Sequence, residues 1–291
     1  MSQASIDPND FKATQRIAWG AAAAGWRKWW RVFEAAAQPL NERIVDLAGV
    51  KPGDKVLDVA SGIGEPALTA AKRTGPTGRV LATDLAAPML EVARERALAL
   101  HLENVEFREM DAEKLDVPAA SFDAATCRWA VMLVLDPVAV CRGVRRALKP
   151  GARFATSVWC EAPRVPFLAI PFEVATREAN LPPPPPGAPG PMTMGKEGTL
   201  EKVFLDAGFE DIRTEKQSVV YTFESADEFA NFLEEASGTV RRILETQPEE
   251  VRARVRAGIA RATERFTDRA GRLRLENEVW CVSGSSPRSR G

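Results

Sequence analysis

Residues 55 to 74 read KVLDVASGIGEPALTAAKRT. A short apolar run meets a helix-forming run across a loop that carries Gly62 and Gly64. No other stretch narrows the fold as much. An apolar run without alternation suits a strand buried on both faces, and such strands belong to parallel sheets covered by helices. The order then repeats. RVLATD (79–84) precedes the helical run PMLEVARERALAL, with Pro88 suited to its first turn. VEFREMD (105–111) and FDAATC (122–127) follow as strands, then a helix near 137–148, the turn KPG and a fifth strand, ARFATSVW. Strand alternating with helix predicts an α/β fold with a doubly wound, mostly parallel sheet.

The second half departs from that rhythm. LPPPPPGAPGP (181–191) cannot enter a helix or a central strand and forms a stiff, extended connection. It reads either as a plain surface loop or as the border of a substrate entrance. A helix (TLEKVFLDAGF) and a long strand (DIRTEKQSVVYTF) follow, then a helical stretch, the closing strand RLRLENEVWCVSG and a tail, SSPRSRG, expected to be disordered. Residues 13 to 36 read as helix, rich in alanine and tryptophan. The expected organisation is therefore an N-terminal helical lid (1–40) and a Rossmann-like core (41–224) that includes the loop 181–191. A helical insertion capping the acceptor (225–266) and the last strand with its tail (267–291) complete it.

The totals exclude several roles. Net charge is −1, so no global field draws in nucleic acid or an anionic membrane. In VRARVRAGIARATERF the flanking and internal Glu249, Glu250 and Glu264 mark a solvated helix face rather than a nucleic-acid surface. No apolar run approaches the roughly 20 residues of a spanning helix. MSQASIDPND lacks the pattern of a secretion signal. Four cysteines lie at 127, 141, 160 and 281 without a C-x-x-C pair, and His101 is the only histidine. No metal site is expected, and the chain reads as cytoplasmic with reduced thiols.

Gly62-x-Gly64-x-x-Ala67 matches the loop that cradles a dinucleotide pyrophosphate. The charge of the loop is wrong for that ligand. Pro66 removes one helix N-terminal donor, Glu65 and Asp58 add two carboxylates, and no lysine or arginine lies between Asp58 and Ala71. A nucleoside carrying positive charge, such as S-adenosylmethionine, fits better. Asp84 ends the second strand, where a carboxylate accepts ribose hydroxyls in either kind of cofactor. Asp111 ends the third, where it can accept from an adenine amine. Three acids at three successive strand ends outline one nucleoside crevice.

VLDVASGIGEPAL, ATDLAAPML, MDAEKL, SFDAATCRWAVM and ALKPGARFA together resemble a class I S-adenosylmethionine-dependent methyltransferase. The likeness is to the small-molecule branch that includes the quinone-biosynthesis methyltransferases, and it covers residues 40 to 160. It implies a seven-stranded sheet with its last strand antiparallel. It also implies contacts from Ala60, Gly62 and Gly64 to the methionine part, from Asp84 to the ribose, and from Asp111 and Ala112 to the adenine, with Leu85 as a further cofactor-binding residue. The backbone carbonyl of Cys127 would face the ammonium. Glu65 stands where many relatives have a third glycine.

The acceptor side rests on aromatic residues. Trp19, Trp26, Trp30 and Phe33 share one helical face, which either packs the helix onto the core or forms a lid over cofactor and acceptor. Arg128, Trp129 and Trp159 are positioning candidates, with Met132 and Phe232 as further pocket candidates. Arg128 either anchors an acceptor anion or pairs with an acid at the core edge. Phe229 and Phe232 either complete an apolar pocket or, as their default, pack in the core. His101, between a helix and the third strand, is placed away from the site, and Tyr221 has no base beside it in sequence. The expected reaction is methyl transfer to a small, apolar or aromatic acceptor by positioning rather than by a histidine base. A nicotinamide oxidoreductase, a non-methylating S-adenosylmethionine enzyme and a non-catalytic binder stand as alternatives. The sequence leaves the oligomeric state open.

Overall fold

The computed structural model describes residues 7–182 and 187–288. Part of the proline run (183–186) and the ends of the chain (1–6 and 289–291) lie outside the described residues.

The first element is one long helix, α1 (Pro8–Leu47), entered through Asp7, whose side chain accepts from the N–H groups of Asn9 and Asp10. It passes without a break through the boundary expected at residue 40. Ala22, Trp29, Phe33, Ala37, Leu40 and Ile44 give it a stripe that is buried at steps of three, four and seven. That stripe carries the helix across the sheet and so ties the expected lid directly to the core.

The strands β1 (Lys55–Val59), β2 (Arg79–Asp84), β3 (Val105–Glu109), β4 (Phe122–Arg128), β5 (Leu148–Trp159), β6 (Glu210–Phe223) and β7 (Leu273–Ser285) form one sheet. Their order is β3-β2-β1-β4-β5-β7-β6. β1 to β5 are parallel, and β7 runs antiparallel between β5 and β6. Between them come α2 (Ala67–Thr74), α3 (Ala87–Ala99), α4 (Pro137–Ala147), α5 (Pro166–Glu178) and α6 (Thr199–Asp206). Before the last strand the chain inserts α7 (Ala226–Ala236), α8 (Gly238–Glu245) and α9 (Glu249–Thr263). The chain reverses direction across the sheet between β1 and β4. In open α/β sheets the crevice beyond the strand ends at that point holds the ligand.

α5 is the element the sequence did not suggest. Pro166 starts it and Pro171 sits inside it, so the usual breakers disguise a helix that buries Phe167, Ile170 and Val174. The insertion lies against α1. Gly25 of α1 packs so closely on α7 that a Cβ there would stand 1.8 Å from the carbonyl oxygen of Glu235. The Glu235 carboxylate in turn accepts from the Trp29 indole and the Lys28 ammonium, both at 2.7 Å.

Candidate functional site

The crevice at the chain reversal opens into a cavity of about 190 Å3. Ala60, Gly62, Asp84, Leu85, Asp111 and Ala112 line it, which brings together the ends of β1, β2 and β3. Asp84 holds the glycine loop to β2: its Oδ2 accepts from Gly62 N at 2.8 Å and its Oδ1 from Ala86 N at 2.9 Å. Enclosure pushes the Asp84 carboxyl above its ordinary pKa, against the pull of those backbone donors. Gly64, by contrast, does not reach the cavity wall. Its φ is +109°, and a Cβ would meet Leu68 at 2.9 Å and Ala93 at 3.2 Å. Glycine is required there for helix packing. Cys127 is fully buried and also lies outside the lining, beneath Arg128, Trp129 and Ala130.

The charge balance differs from the one read along the sequence. Glu65 is buried, but Arg96 of α3 donates to it at 3.1 Å and to the Ile63 carbonyl at 2.6 Å. The missing base is thus supplied from outside the loop. The signal was an arginine on the buried stripe of α3, in line with Met89 and Ala93. Asp58 is buried too. Burial pushes its carboxyl up to about 7, only partly offset by Ser61 and by Thr126, whose hydroxyl donates at 2.6 Å. Its second oxygen, Oδ2, has no hydrogen-bond partner among the described residues. Asp111 accepts from Glu113 N and from Lys12 of α1, each within 2.9 Å. Lys12 also pairs with Glu113, so the first turns of α1 sit over the Asp111 end of the crevice. Sequence spacing gives no hint of this contact, because ninety-nine positions separate Lys12 from Asp111.

A second cavity of the same size adjoins the first. Trp19, Trp26, Phe33 and Trp129 line both, together with Gln15 and Leu133. Met132, Trp159 and Phe232 line the second, with Phe167 of α5 and residues Pro189, Gly190 and Pro191 of the proline-rich connection. Gly190 is tied down by its N–H, which donates to the Met132 carbonyl at 3.1 Å. The described end of that connection is therefore a chamber wall. A volume of about 190 Å3 is an order of magnitude above the room one water needs, so the chamber suits an organic molecule.

Two candidates of the acceptor side, Trp30 and Arg128, stand elsewhere or are already engaged. Trp30 lines neither cavity. It packs with Ala23, Ile63 and Met89, and its ring lies 4.7 Å from the Arg96 guanidinium. Seven-residue spacing kept Trp19, Trp26 and Phe33 on the inner face, and Trp30 falls on the flank. Arg128 lines the first cavity but is not free to anchor an acceptor. Its two terminal nitrogens donate to Glu34 of α1 at 2.7 and 2.8 Å, and one also donates to Asn41 at 2.7 Å. Phe229 is wholly buried in the core. His101 is exposed in the turn after α3, and Tyr221 lies under the chamber floor, stacked 4.0 Å from Phe167. Burial drives the Tyr221 hydroxyl well above its ordinary pKa, so it is no base. Among the described residues no group of His, Cys, Asp and Glu is placed to hold a metal ion, and no helix is long and apolar enough to cross a membrane.

A family model described as a methyltransferase domain matches residues 50–235, more than half of the chain. The ubiquinone/menaquinone biosynthesis C-methyltransferase of Pseudomonas savastanoi is 41% identical over 110 residues. That match covers 38% of this chain and 43% of the relative, so the chain aligns with less than half of its length. Among solved structures, phosphoethanolamine N-methyltransferase 2 of Haemonchus contortus in complex with S-adenosyl-L-methionine superposes with a TM-score of 0.56 at 18% identity, covering 99% of this chain and 62% of that one. The [4+2]-cyclase SpnF superposes at 0.54 and 18% identity, covering 91% and 94%. At these identities the two structures speak for the fold.

Proposed function

We propose a reaction for this chain from one premise: it belongs to the methyltransferase domain family. The reading is transfer of a methyl group from S-adenosylmethionine to a small, largely apolar or aromatic acceptor. One observation carries it: a crevice at the strand ends lined by Glu65, Asp84, Asp111 and Glu113 opens directly into an uncharged aromatic chamber through a shared wall.

The crevice fits the cofactor on grounds independent of the family. Asp58 lies enclosed under the loop, outside the cavity lining, and one of its oxygens has no hydrogen-bond partner among the described residues; its negative charge would favour an ammonium-bearing ligand above the loop. Ala60 and Gly62 would hold the methionine part, Asp84 with Leu85 the ribose, and Asp111 with Ala112 the adenine. Asp84 can do so while keeping its backbone partners, since each carboxylate oxygen has a second lone pair. The cofactor supplies a methyl group on a positively charged sulfur with a neutral leaving group.

The protein's share of the work is positioning, which is worth up to about 7–11 kcal/mol when two reactants are held in line. Trp19, Trp26 and Phe33 on α1 and Trp129 after β4 hold the acceptor against the crevice and exclude water. No lining residue of the chamber is a histidine or a carboxylate, so the acceptor atom is one already nucleophilic, or a hydroxyl whose proton passes to a carboxylate of the adjoining crevice. The helices α7 to α9 and residues 189–191 serve as the acceptor cap, and α1 as the lid.

Titration calorimetry with S-adenosylmethionine and with NADH tests the reading. Binding of the first in the micromolar range is expected. Heat from NADH with none from S-adenosylmethionine would overturn it in favour of the nicotinamide reading. Tight cofactor binding with no methyl transfer across a broad acceptor panel would favour a binder.

A further inference from the structure

The two ends of the crevice carry their charges differently. At the β3 end Lys12 is bonded to Asp111 and pairs with Glu113, so those acids have a cation of their own. At the end where β1 and β4 lie side by side, the lining holds one carboxylate and one guanidinium. They are Glu65 of the glycine loop and Arg128, the last residue of β4. Both are nearly enclosed, with side chains 3% and 6% exposed. They belong to a buried cluster of four charges: Arg96 pairs with Glu65, and Glu34 pairs with Arg128. Two carboxylates and two guanidiniums leave the cluster neutral.

Neither lining charge is exhausted by its partner. A guanidinium has five N–H groups. Arg128 uses three of them, two on Glu34 and one on Asn41, and the other two have no partner among the described residues. Glu34 occupies the two-pronged fork, but single bonds from the remaining N–H groups are still available. A carboxylate has about four acceptor sites. Glu65 uses three, on Arg96 at 3.1 Å and on the N–H and hydroxyl of Thr69 at 3.1 and 2.7 Å. Burial pushes the Glu65 carboxyl above its ordinary pKa and Glu34 adds to that, while the charges of Arg96 and Arg128 pull it back. Arg128 is therefore near enough to act on Glu65, yet no bond joins the two. Opposite charges stand apart on one wall, each with bonding capacity left.

We infer that Glu65 and Arg128 together recognise the amino-acid end of the cofactor, Glu65 accepting from its ammonium and Arg128 donating to its carboxylate. The inference rests on the methyltransferase reading and deepens it. An α-amino acid carries these two charges on one carbon and is neutral as a whole. It therefore matches a neutral cluster whose two lining members have opposite sign. The Cys127 carbonyl, the partner expected for the ammonium, lies outside the lining, and Glu65 takes its place. Hydrogen bonds between charged groups in an enclosed site are the stronger kind. Arg96 and Glu34 hold the two recognising groups in position from α3 and α1. A nucleoside without an amino-acid end leaves both capacities unused.

The test uses the full chain and four adenosine thioethers. S-adenosylhomocysteine has both charges, the aminopropyl thioether only the ammonium, the carboxypropyl thioether only the carboxylate, and methylthioadenosine neither. Calorimetry gives each Kd. In wild type, loss of either charge from S-adenosylhomocysteine should cost about ten-fold or more, the size of a hydrogen bond between charged groups. Glu65→Gln keeps an oxygen for Arg96 and removes the charge. It should weaken S-adenosylhomocysteine and the aminopropyl thioether by about ten-fold, with the carboxypropyl thioether and methylthioadenosine within about three-fold of wild type. Glu34→Leu with Arg128→Met removes a buried pair as a unit, so that no charge is left alone in the core. It should do the reverse, weakening S-adenosylhomocysteine and the carboxypropyl thioether but neither of the others. Each variant is read by itself, so one that fails to fold leaves the other to decide. Equal weakening of all four ligands would show a merely structural role and overturn the inference. Wild-type binding of S-adenosylhomocysteine no tighter than that of methylthioadenosine would overturn it too, with the methyltransferase reading intact. Failure of wild type to bind any of the four would instead sink that reading.

Discussion

Glu34→Ala is the perturbation with the largest expected effect on stability. Glu34 and Arg128 are both nearly enclosed, with side chains 5% and 6% exposed. They form a two-pronged pair at 2.7 and 2.8 Å, with Asn41 donating to Glu34 and accepting from Arg128. Burial alone would raise the Glu34 carboxyl, but the guanidinium overrides it and holds the group below its ordinary value. Removing one partner of a buried pair costs about 3–5 kcal/mol, because the other charge stays buried. Arg128 would keep Asn41 and the Phe33 ring 5.5 Å away, so about 3 kcal/mol is the better figure. With a urea slope near 3 kcal/mol/M the unfolding midpoint should drop by about 1 M. The double variant Glu34→Leu with Arg128→Met removes both charges and should recover most of the loss. The pH dependence has a definite sign. A depressed carboxyl contributes stability above its unfolded pKa, about 4.3, and loses it as pH falls through the folded value. That acid-side loss should shrink in Glu34→Ala. A single-variant cost under about 1 kcal/mol, or a double variant no better than the single, would refute the argument that a buried charge pair joins α1 to β4.

Asp84→Ala should weaken S-adenosylmethionine binding by roughly ten- to a hundred-fold. Because Gly62 N and Ala86 N lose their acceptor, it should also lower stability by about 1–3 kcal/mol, more than a strand-end carboxylate would suggest from sequence. An unchanged dissociation constant in a folded variant would remove Asp84 from the site. Affinity for the same ligand should rise from about pH 6 to 7.5, since a bound cation favours the charged form of Asp58 and releases its proton. Calorimetry in two buffers of different ionisation heat reads that proton, and its absence would argue against a cation above the loop. Gly25→Ala should lower the melting temperature and open α7 to α9 to proteolysis, despite a gain of about 1 kcal/mol in helix propensity. A variant as stable as wild type would show that α1 and α7 do not approach so closely.

The strand-and-helix rhythm from residue 55 to 159 was legible because it depends on short-range physics. Apolar runs, glycine loops and helix starts state their structure within a few residues. The positions of Gly62, Asp84 and Asp111 at strand ends follow from the same local reading, and the sheet brings these residues to one cavity. Other features lay beyond that range. Trp26 and Trp30 are four apart on one helix, yet one lines both cavities and the other packs outside against Arg96. Glu65 looked uncompensated until α3 brought Arg96 beside it, and of the two readings of Arg128 the pairing with an acid holds, the acid being Glu34 of α1. The second chamber draws walls from α1, α5, α7, the end of β5 and the loop at 189–191. A side chain's partner across thirty or a hundred residues is chosen by how whole elements pack, and many candidates of equal chemistry compete for it. Local sequence determined the sheet and the place of the crevice. Packing alone decided which charges are paired and where the aromatic chamber lies.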